Sequence, residues 1–513
     1  MTPELVWFKR DLRVADHSPL VAAAKRGPVL CLYIYEPDLI HAPDFSRRHL
    51  IFVNESLAAL DRSLRKLGSR LLLREGDAVD VISKLREQKS FDRIRIHQET
   101  TNGVSFERDK QVLEWARSQD IEIVEYRQQG VMRRLKTRDV WAKQWQSFVV
   151  SPLVATPRFV EDASTGLDSE MILPPEHFGL PDDGLLEHQP GGEIEGSQVL
   201  GSFLGKRAGG YIGGLSSPVT AWEACSRLSP YLAYGNLSLR TVYQRTAMRK
   251  KERQRQRGVS DFQAKALTMF TERLAWHCHF MQKLEDEPRI EFENMNRAFD
   301  GLRDESEVNQ ELLSAWTSGR TGYPMIDACM RALIATGWIN FRMRAMLISF
   351  ATQHLWLHWR EPALHLARMF LDYEPGIHYS QIQMQAGTTG IAAKRIYSPI
   401  KQVLDHDPEG VFLRRWLPEL ANVPNEYIAE PHKMPTEVQK AAGCMIGQDY
   451  PPPIVDHLTA YREARQRLQA ASYAAKVQGE SARVFKKHGS RRKQSMGRGR
   501  TSGAANRRQR SLF

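Results

Sequence analysis

Five short apolar runs lie within the first 130 residues, and longer segments with helical spacing separate them. The runs are rich in β-branched and aromatic residues, which is typical of buried strands, and they lie at 4–8, 28–35, 70–73, 93–97 and 121–126. Between the second and third runs, apolar residues recur every three or four positions from Leu50 to Leu67 and predict one face of a helix that ends at Gly68. Strands joined by helices favour a parallel sheet, so residues 1–130 are predicted to form a doubly wound α/β domain.

The pattern changes after residue 130. From 131 to 205, prolines and glycines recur and predict a long, irregular interdomain connection. From 206 to 480, helical periodicity dominates with hardly any strand signal, and helices are predicted near 217–228, 237–251, 260–283, 309–314, 323–335, 339–358, 361–371 and 454–476. We therefore expect a second, larger domain that is all-α.

The net charge of +12 is concentrated at the carboxyl end of the chain. Residues 481–513 contain eleven lysines and arginines and no acidic residue, which accounts for all but one unit of the net charge. This segment is also rich in Gly, Ser and Gln, so it cannot bury enough apolar surface to order itself. We expect a disordered basic tail that either keeps the protein soluble or binds nucleic-acid phosphates.

Several classes of protein do not fit this sequence. The mean hydropathy is −0.46, and no apolar run approaches the ~20 residues of a membrane span. The first residues lack the basic and apolar regions of a secretory leader, so we expect a cytoplasmic location. Five dispersed cysteines with no CxxC spacing do not predict a disulfide framework or a metal site. The turn after the first run has no glycine-rich dinucleotide fingerprint, which argues against NAD.

Several collinear motifs resemble the DNA photolyase/cryptochrome family along nearly the whole chain. They are LVWFKRDLRVADH (5–17), SRLSPYLAYGNLS (226–238), WTSGRTGYPMIDACMRALIATGWINFRMR (316–344), WREP (359–362) and DHDPEGVFLRRWLPEL (405–420). The resemblance implies an α/β antenna domain, a long interdomain loop, and a helical domain that holds FAD.

The resemblance also implies which residues contact FAD. Ser226, Arg227 and Ser229 would cradle the pyrophosphate at a turn before a helix, although alone they would suggest an ordinary helix N-cap. Arg344 and Asp372 correspond to an ion pair beside the flavin ring, the alternative being a surface salt bridge. The expected cofactor-binding residues are Tyr211, Ser226, Arg227, Leu228, Ser229, His277, Phe341, Arg344, Asp372, Glu374 and His378.

Three further residues are expected to act in lesion binding or electron transfer. Trp276 corresponds to the aromatic residue that stacks on an extruded pyrimidine dimer, and Met384 takes the place of its second aromatic partner. Trp359 remains from the family's tryptophan electron-transfer triad, whereas Ile382 and Ser306 replace the other two members.

His378 is the fourth expected catalytic residue. It stands where bacterial cyclobutane photolyases have an asparagine facing the redox-active nitrogen of the flavin. A neutral imidazole would donate or accept a hydrogen bond there according to its tautomer, and a protonated one would favour an anionic flavin.

The expected function is light-driven, FAD-dependent repair of pyrimidine photoproducts in DNA, in which excited reduced flavin passes an electron to the lesion. The alternative is a cryptochrome-type blue-light photoreceptor without repair activity. The sequence leaves open whether the substrate is a cyclobutane dimer, a (6-4) product or neither. It also leaves open whether the antenna chromophore is a folate or a deazaflavin, or whether the antenna pocket is empty. We expect a monomer whose partners are DNA containing pyrimidine dimers and, through the tail, nucleic-acid phosphates; in a bacterium it would associate with the nucleoid.

Overall fold

The computed structural model describes residues 2–255, 261–306, 308–391 and 395–490. Its amino-terminal part is a five-stranded parallel sheet of order β3-β2-β1-β4-β5. The strands are β1 (Glu4–Phe8), β2 (Val29–Tyr35), β3 (Leu71–Glu75), β4 (Arg93–His97) and β5 (Glu122–Tyr126). The predicted α/β domain is therefore confirmed, with strand bounds that differ from the predicted ones by no more than two residues.

Helices cover both faces of this sheet, because alternate residues of each strand point to opposite sides. In β1, Val6 and Phe8 enter one hydrophobic core, and Leu5 and Trp7 enter the other. The covering helices are Ser18–Ala24, Pro37–Ile40, Arg47–Lys66, Ala78–Gln88 and Gly103–Ser118. The strand order reverses at β1 and β4, which opens a crevice at the carboxyl ends of the strands.

The connection from 131 to 205 is less irregular than its prolines and glycines suggest. It contains the α-helices Trp141–Val150 and Glu193–Gly205 and the 3-10 turns Arg138–Val140 and Pro175–Phe178. Trp141, Trp145 and Val149 recur every four residues and are buried in the first core, which explains the earlier helix. The prediction of an irregular connection is therefore wrong for these two segments.

The rest of the described chain is helical, as predicted. The α-helices are Tyr211–Gly214, Pro218–Ala224, Ser229–Ala233, Leu239–Arg255, Asp261–Asp286, Gln310–Thr317, Pro324–Thr336, Phe341–Ser349, Arg360–Met369, Pro375–Ala386, Pro399–His406, Val411–Trp416, Thr436–Ala442, His457–Val477 and Glu480–His488. Short 3-10 turns lie at Arg207–Gly210, Pro288–Glu291, Arg297–Phe299, Pro418–Leu420 and Pro431–Lys433.

The helix predicted over 339–358 is interrupted. It ends at Ser349, continues as a π-helical turn over Phe350–His354, and stops before Trp356, whose φ is +55°. No proline or glycine lies between Phe350 and His354 to mark the interruption in the sequence, and every residue of this turn is buried.

A buried arginine joins the two domains. Arg48, on the helix Arg47–Lys66, is completely buried and donates to the backbone carbonyls of Leu333, Ile334 and Met369 in the helical domain. Its Nε also donates to a carboxylate oxygen of Asp183 at 2.9 Å. The charge of Arg48 is thus both paired and hydrogen-bonded, as burial requires.

The beginning of the expected disordered tail is ordered. Residues Glu480–His488 form a helix whose Val484 packs with Leu284, Ile290 and Met295. The tail prediction is therefore wrong for 481–488, because a sparse apolar stripe there suffices to dock one helix face. Residues 491–513, with the other basic residues of the expected tail, lie outside the described residues.

Within the described ranges, no helix combines the length and the apolar character that crossing a bilayer demands.

Candidate functional site

The helical domain encloses a cavity of about 280 Å³, which we call the central cavity. Two helices form its main walls, namely Phe341–Ser349 and Pro375–Ala386, together with the segments 225–229 and 370–374. The lining residues are Tyr211, Cys225, Ser226, Arg227, Ser229, His277, Trp338, Ile339, Phe341, Arg344, Ala345, Ile348, Leu366, Phe370, Asp372, Tyr373, Glu374, Ile377, His378, Gln381, Ile382 and Gln385.

The central cavity brings together ten of the eleven residues expected to bind the cofactor. The exception is Leu228, whose side chain is 1% exposed and packs in the first hydrophobic core. Its neighbours Arg227 and Ser229 line the cavity, so Leu228 anchors the turn from behind.

Arg344 and Asp372 form a bidentate ion pair on the cavity wall. Arg344 Nη1 and Nη2 donate to the two carboxylate oxygens of Asp372 at 2.8 and 2.9 Å, and Arg344 Nε donates to the carbonyl of Ile339. The Asp372 side chain is only 4% exposed, and the guanidinium lies over the ring of Phe370. The alternative of a surface salt bridge is therefore excluded, and the fork geometry fixes the orientation of both groups.

His378 is buried, and its tautomer follows from its hydrogen bond. Its Nε2 lies 2.9 Å from the carbonyl of Ala363, which can only accept, so Nε2 carries the proton and Nδ1 is an acceptor. Burial, with a smaller contribution from nearby Arg344, lowers the pKa of His378 to about 4, although the hydrogen bond to Ala363 and the charge of Asp372 raise it. The imidazole is therefore neutral near pH 7.

The wall of the central cavity contains polar atoms without hydrogen-bond partners, on the helix Pro375–Ala386 and on Glu374 just before it. Among the described residues, neither amide atom of Gln381 has a hydrogen-bond partner, and neither does Glu374 Oε1. Burial raises the pKa of Glu374 to about 7, although Arg10, 4.0 Å away, lowers it. Buried polar atoms without partners are costly, so this wall fits a ligand that supplies donors and acceptors.

The expected anion cradle is built differently from the prediction. The helix after it, Ser229–Ala233, has only five residues and offers little dipole. Instead, Arg207 and Gln189 hold the backbone carbonyls of 225–227 by side-chain hydrogen bonds. The conformation of the turn 225–229 therefore depends on side chains that lie well before it in the sequence, and its role as an anion cradle remains a prediction.

Comparison with known proteins agrees with this geometry. Residues 4–140 match the family model for DNA photolyase, and residues 270–470 match the model for the FAD binding domain of DNA photolyase. A deoxyribodipyrimidine photo-lyase of Agrobacterium fabrum is 30% identical over 498 residues, which cover 92% of this chain and 98% of the relative. The chain belongs to the DNA photolyase/cryptochrome family.

Other similar proteins include both cryptochromes and photolyases. Cryptochrome-1 of Aedes aegypti is 28% identical over 89% of this chain and 91% of its own. The crystal structure of a bacterial class III photolyase from Agrobacterium tumefaciens superposes with a TM-score of 0.80 at 28% identity, covering 92% of this chain and 98% of that one. The family membership and the two-domain fold predicted from the sequence are thus confirmed.

The cofactor of this photolyase-type helical domain is FAD, as predicted. The central cavity fits it, because the cavity combines apolar walls for a ring system with a buried ion pair and unpaired amide atoms. That each lining residue named above contacts FAD remains a prediction.

The other expected catalytic residues lie outside the central cavity. Trp276 is half-buried, one residue before His277, and its ring contacts those of His279 and Phe280 at 5.2 and 5.6 Å. Met384 is half-buried two residues after Ile382. Their roles in lesion binding remain predictions.

Trp359 is deeply buried in a hydrophobic core that lies within the helical domain. Its side chain is 1% exposed, and its Nε1 donates to Asn294 Oδ1 at 2.9 Å. Its ring centroid is 6.4 Å from that of Tyr379. Ile382 lines the cavity and Ser306 lies in an exposed turn, so neither position of the expected triad supplies an aromatic ring.

Sequence reasoning missed several lining residues, above all Tyr373 and Gln381. Tyr373 also lines a second cavity of about 110 Å³ at the carboxyl ends of the strands. There Arg108 pairs with Glu36 and, at 3.0 Å, with Glu99, and burial raises the pKa of Glu36 to about 7. These ion-paired walls do not suit an apolar ring, and the antenna chromophore remains a prediction.

Proposed function

We propose that this protein is a light-driven DNA repair enzyme that uses FAD to reverse pyrimidine photoproducts. The observation that carries the proposal is the convergence of ten expected cofactor residues on one cavity, with Trp276 half-buried beside His277 of its wall. The relatives named deoxyribodipyrimidine photo-lyase support it, since they match over nearly their whole length.

The side chains of the site have separable tasks in this proposal. Bound FAD supplies the light-driven electron chemistry. Arg344 and Asp372 hold each other in a fixed orientation beside it, and His378 keeps an unprotonated Nδ1 available as an acceptor. Trp276 offers a ring face on which an extruded base can stack.

The decisive experiment gives reduced holoprotein DNA that carries either cyclobutane dimers or (6-4) products, in the dark and under blue light. We expect restoration of normal bases for one lesion and only in the light. Because stacking on one base is worth ~1–3 kcal/mol, Trp276→Ala should weaken lesion binding about five- to 150-fold while FAD stays bound. Trp115→Ala, a half-buried tryptophan in the α/β domain, is the control.

A photoreceptor without repair activity is the second candidate. Ile382 in the cavity wall and the exposed Ser306 favour it, because both stand where an electron-transfer tryptophan is expected. Illuminated, reduced protein that repairs neither lesion, yet responds to blue light through its flavin spectrum, would establish this function instead.

A further inference from the structure

The turn that lines one end of the central cavity contains a residue in a conformation that L-amino acids seldom adopt. Arg227 has a φ of +57°, in the left-handed region, although it is not a glycine. Such a backbone persists only where neighbouring groups hold it. Arg227 also lines the cavity, so the groups that hold it bear on the ligand.

Gln189 holds Arg227 at two points. Its Nε2 donates to the backbone carbonyl of Arg227 at 2.8 Å, and its Oε1 accepts from Arg227 Nε at 3.3 Å. Gln189 is itself only 6% exposed and belongs to the interdomain connection, 38 residues earlier in the chain. The same amide group thus fixes both the backbone and the side chain of Arg227.

Trp222 holds the guanidinium from a third side. The guanidinium carbon of Arg227 lies 3.2 Å from the ring centroid of Trp222 and 5.8 Å from that of Trp338. The two indole rings meet edge to face at 5.6 Å, and Trp338 lines the cavity. A guanidinium stacked on an indole face keeps its N–H groups free in the plane of the stack.

Arg227 differs from Arg344, the other arginine of the cavity wall, because no ion pair within the described residues neutralises its charge. Burial, with a smaller contribution from nearby Arg207, lowers its pKa to about 10, so the group stays protonated at neutral pH. Arg344 is neutralised by Asp372, and burial lowers the pKa of His277 to about 4. Within the described ranges, no carboxylate lies within ion-pair distance of Arg227, so an anionic ligand group would be its partner.

We propose that Trp222 and Gln189 are positioning residues that hold Arg227 for the diphosphate of FAD, and that they thereby make the cavity select the dinucleotide over riboflavin. The inference rests on the proposed function only in taking FAD as the ligand. Riboflavin carries the same ring system but no phosphate, so it reports ring binding separately from phosphate binding.

The test measures the dissociation constants of FAD and riboflavin for protein stripped of flavin, and the rate of FAD release from holoprotein. The variants are Trp222→Leu, Gln189→Leu, Arg227→Gly and the double variant Trp222→Leu/Arg227→Gly. Glycine adopts a positive φ without strain, so Arg227→Gly removes the guanidinium and also the need to hold the backbone. Trp356→Leu is the control, because Trp356 is another half-buried indole stacked by arginines, Arg303 and Arg467, but does not line the cavity.

We expect Trp222→Leu and Gln189→Leu each to weaken FAD binding about three- to thirtyfold, the range of one desolvated cation–π contact or hydrogen bond. Riboflavin affinity should stay within twofold of wild type. The double variant should bind FAD no more weakly than Arg227→Gly alone, because no guanidinium remains to be positioned. Raising the salt concentration should speed FAD release from wild type more than from Arg227→Gly.

Any of four outcomes would overturn the proposal. Equal losses for FAD and riboflavin would make Trp222 a packing residue, and additive losses in the double variant would separate Trp222 from Arg227. If Trp222→Leu leaves FAD binding and release unchanged, this inference fails while the proposed function stands. Wild-type protein that binds neither FAD nor riboflavin would contradict both this inference and the proposed function.

Discussion

The Nε2 atom of His378 donates its proton to the carbonyl of Ala363, 15 residues earlier on the helix Arg360–Met369. This single bond decides which nitrogen of the imidazole is the acceptor, and burial keeps the ring neutral. The two alternatives that the sequence left open for His378, a protonated ring and the opposite tautomer, are thereby excluded near pH 7. Nitrogen chemical shifts of labelled His378 should show an unprotonated Nδ1 from pH 8 down to pH 5.

Loss of the Arg344 side chain should release FAD more readily than loss of Arg342. Arg344→Ala leaves the buried Asp372 carboxylate without its bidentate partner, whereas the side chain of Arg342 does not line the central cavity. Charged hydrogen bonds are worth ~1.5–3 kcal/mol, so FAD affinity should fall about 10- to 150-fold in Arg344→Ala. Fluorescence of released FAD measures this; equal retention in both variants would contradict the assignment of the pair to the cofactor.

A tryptophan at position 382 should speed the light-driven reduction of oxidised FAD in the presence of a thiol. Ile382 is 5% exposed and lines the central cavity, so an indole there would place an electron donor in its wall. Ile382→Phe is the matched control, since it adds bulk without a comparable donor. Absorbance under blue light follows the reaction, and equal acceleration by both variants would point to a packing effect.

Acid should destabilise the protein through its buried, neutral histidines. Burial lowers the pKa of His354 from 6.5 to about 4, so the unfolded chain binds a proton between these pH values that the folded protein does not. Stability is therefore lost as the pH falls below about 6.5, at up to ~1.4 kcal/mol per pH unit for each such group.

His354→Phe removes one of these groups. The drop in unfolding free energy between pH 7.5 and pH 5 should then be smaller by up to ~2 kcal/mol, measured by urea denaturation. Replacing the exposed His41 by Phe is the control. An unchanged pH dependence in His354→Phe would show that His354 titrates normally.

The residues that contribute to DNA affinity in the tail should lie beyond position 490. Arg483 and Lys487 are already paired, with Glu480 and Glu287 respectively, on the docked helix Glu480–His488. Deleting 491–513 removes eight lysines and arginines without disturbing that helix. If about half of them meet phosphates, the slope of log affinity against log salt should shrink by about 3 to 4 on duplex DNA.

The flavin absorption spectrum should not change on this deletion. Replacing the eight basic residues by glutamine at constant length separates charge from chain length. An unchanged salt slope in both proteins would assign the segment to solubility alone.

Much of the fold could be predicted because its signals are local. The strands were recognisable from short β-branched runs, and the helix Arg47–Lys66 from a regular apolar stripe. The helix Pro375–Ala386 has no such stripe, because most of its residues are buried on all sides. Its sequence therefore shows no helical periodicity from which the helix could be predicted. Docking of Glu480–His488 depends on contacts with Leu284 and Ile290, nearly 200 residues earlier, which no local pattern reveals.

The candidate site likewise contains residues that local sequence signals reveal and residues that only tertiary contacts reveal. Ten of its lining residues could be named from motifs, whereas Gln189 lies in a loop with no motif, and its importance arises only from its contact with Arg227. The tautomer of His378 likewise depends on where one carbonyl of another helix points. Such roles follow from tertiary contacts and could not be derived from spacing in the sequence.

The bonds of Arg48 limit how this molecule can move. Three carbonyls of the helical domain converge on one guanidinium of the α/β domain, and separating the domains would break all of these hydrogen bonds together. A hinge opening between the domains is therefore an unfavourable route of entry for FAD. We expect the cofactor to enter through the mouth of the cavity or to be enclosed as the chain folds, so exchange of bound FAD should be slow in the folded protein.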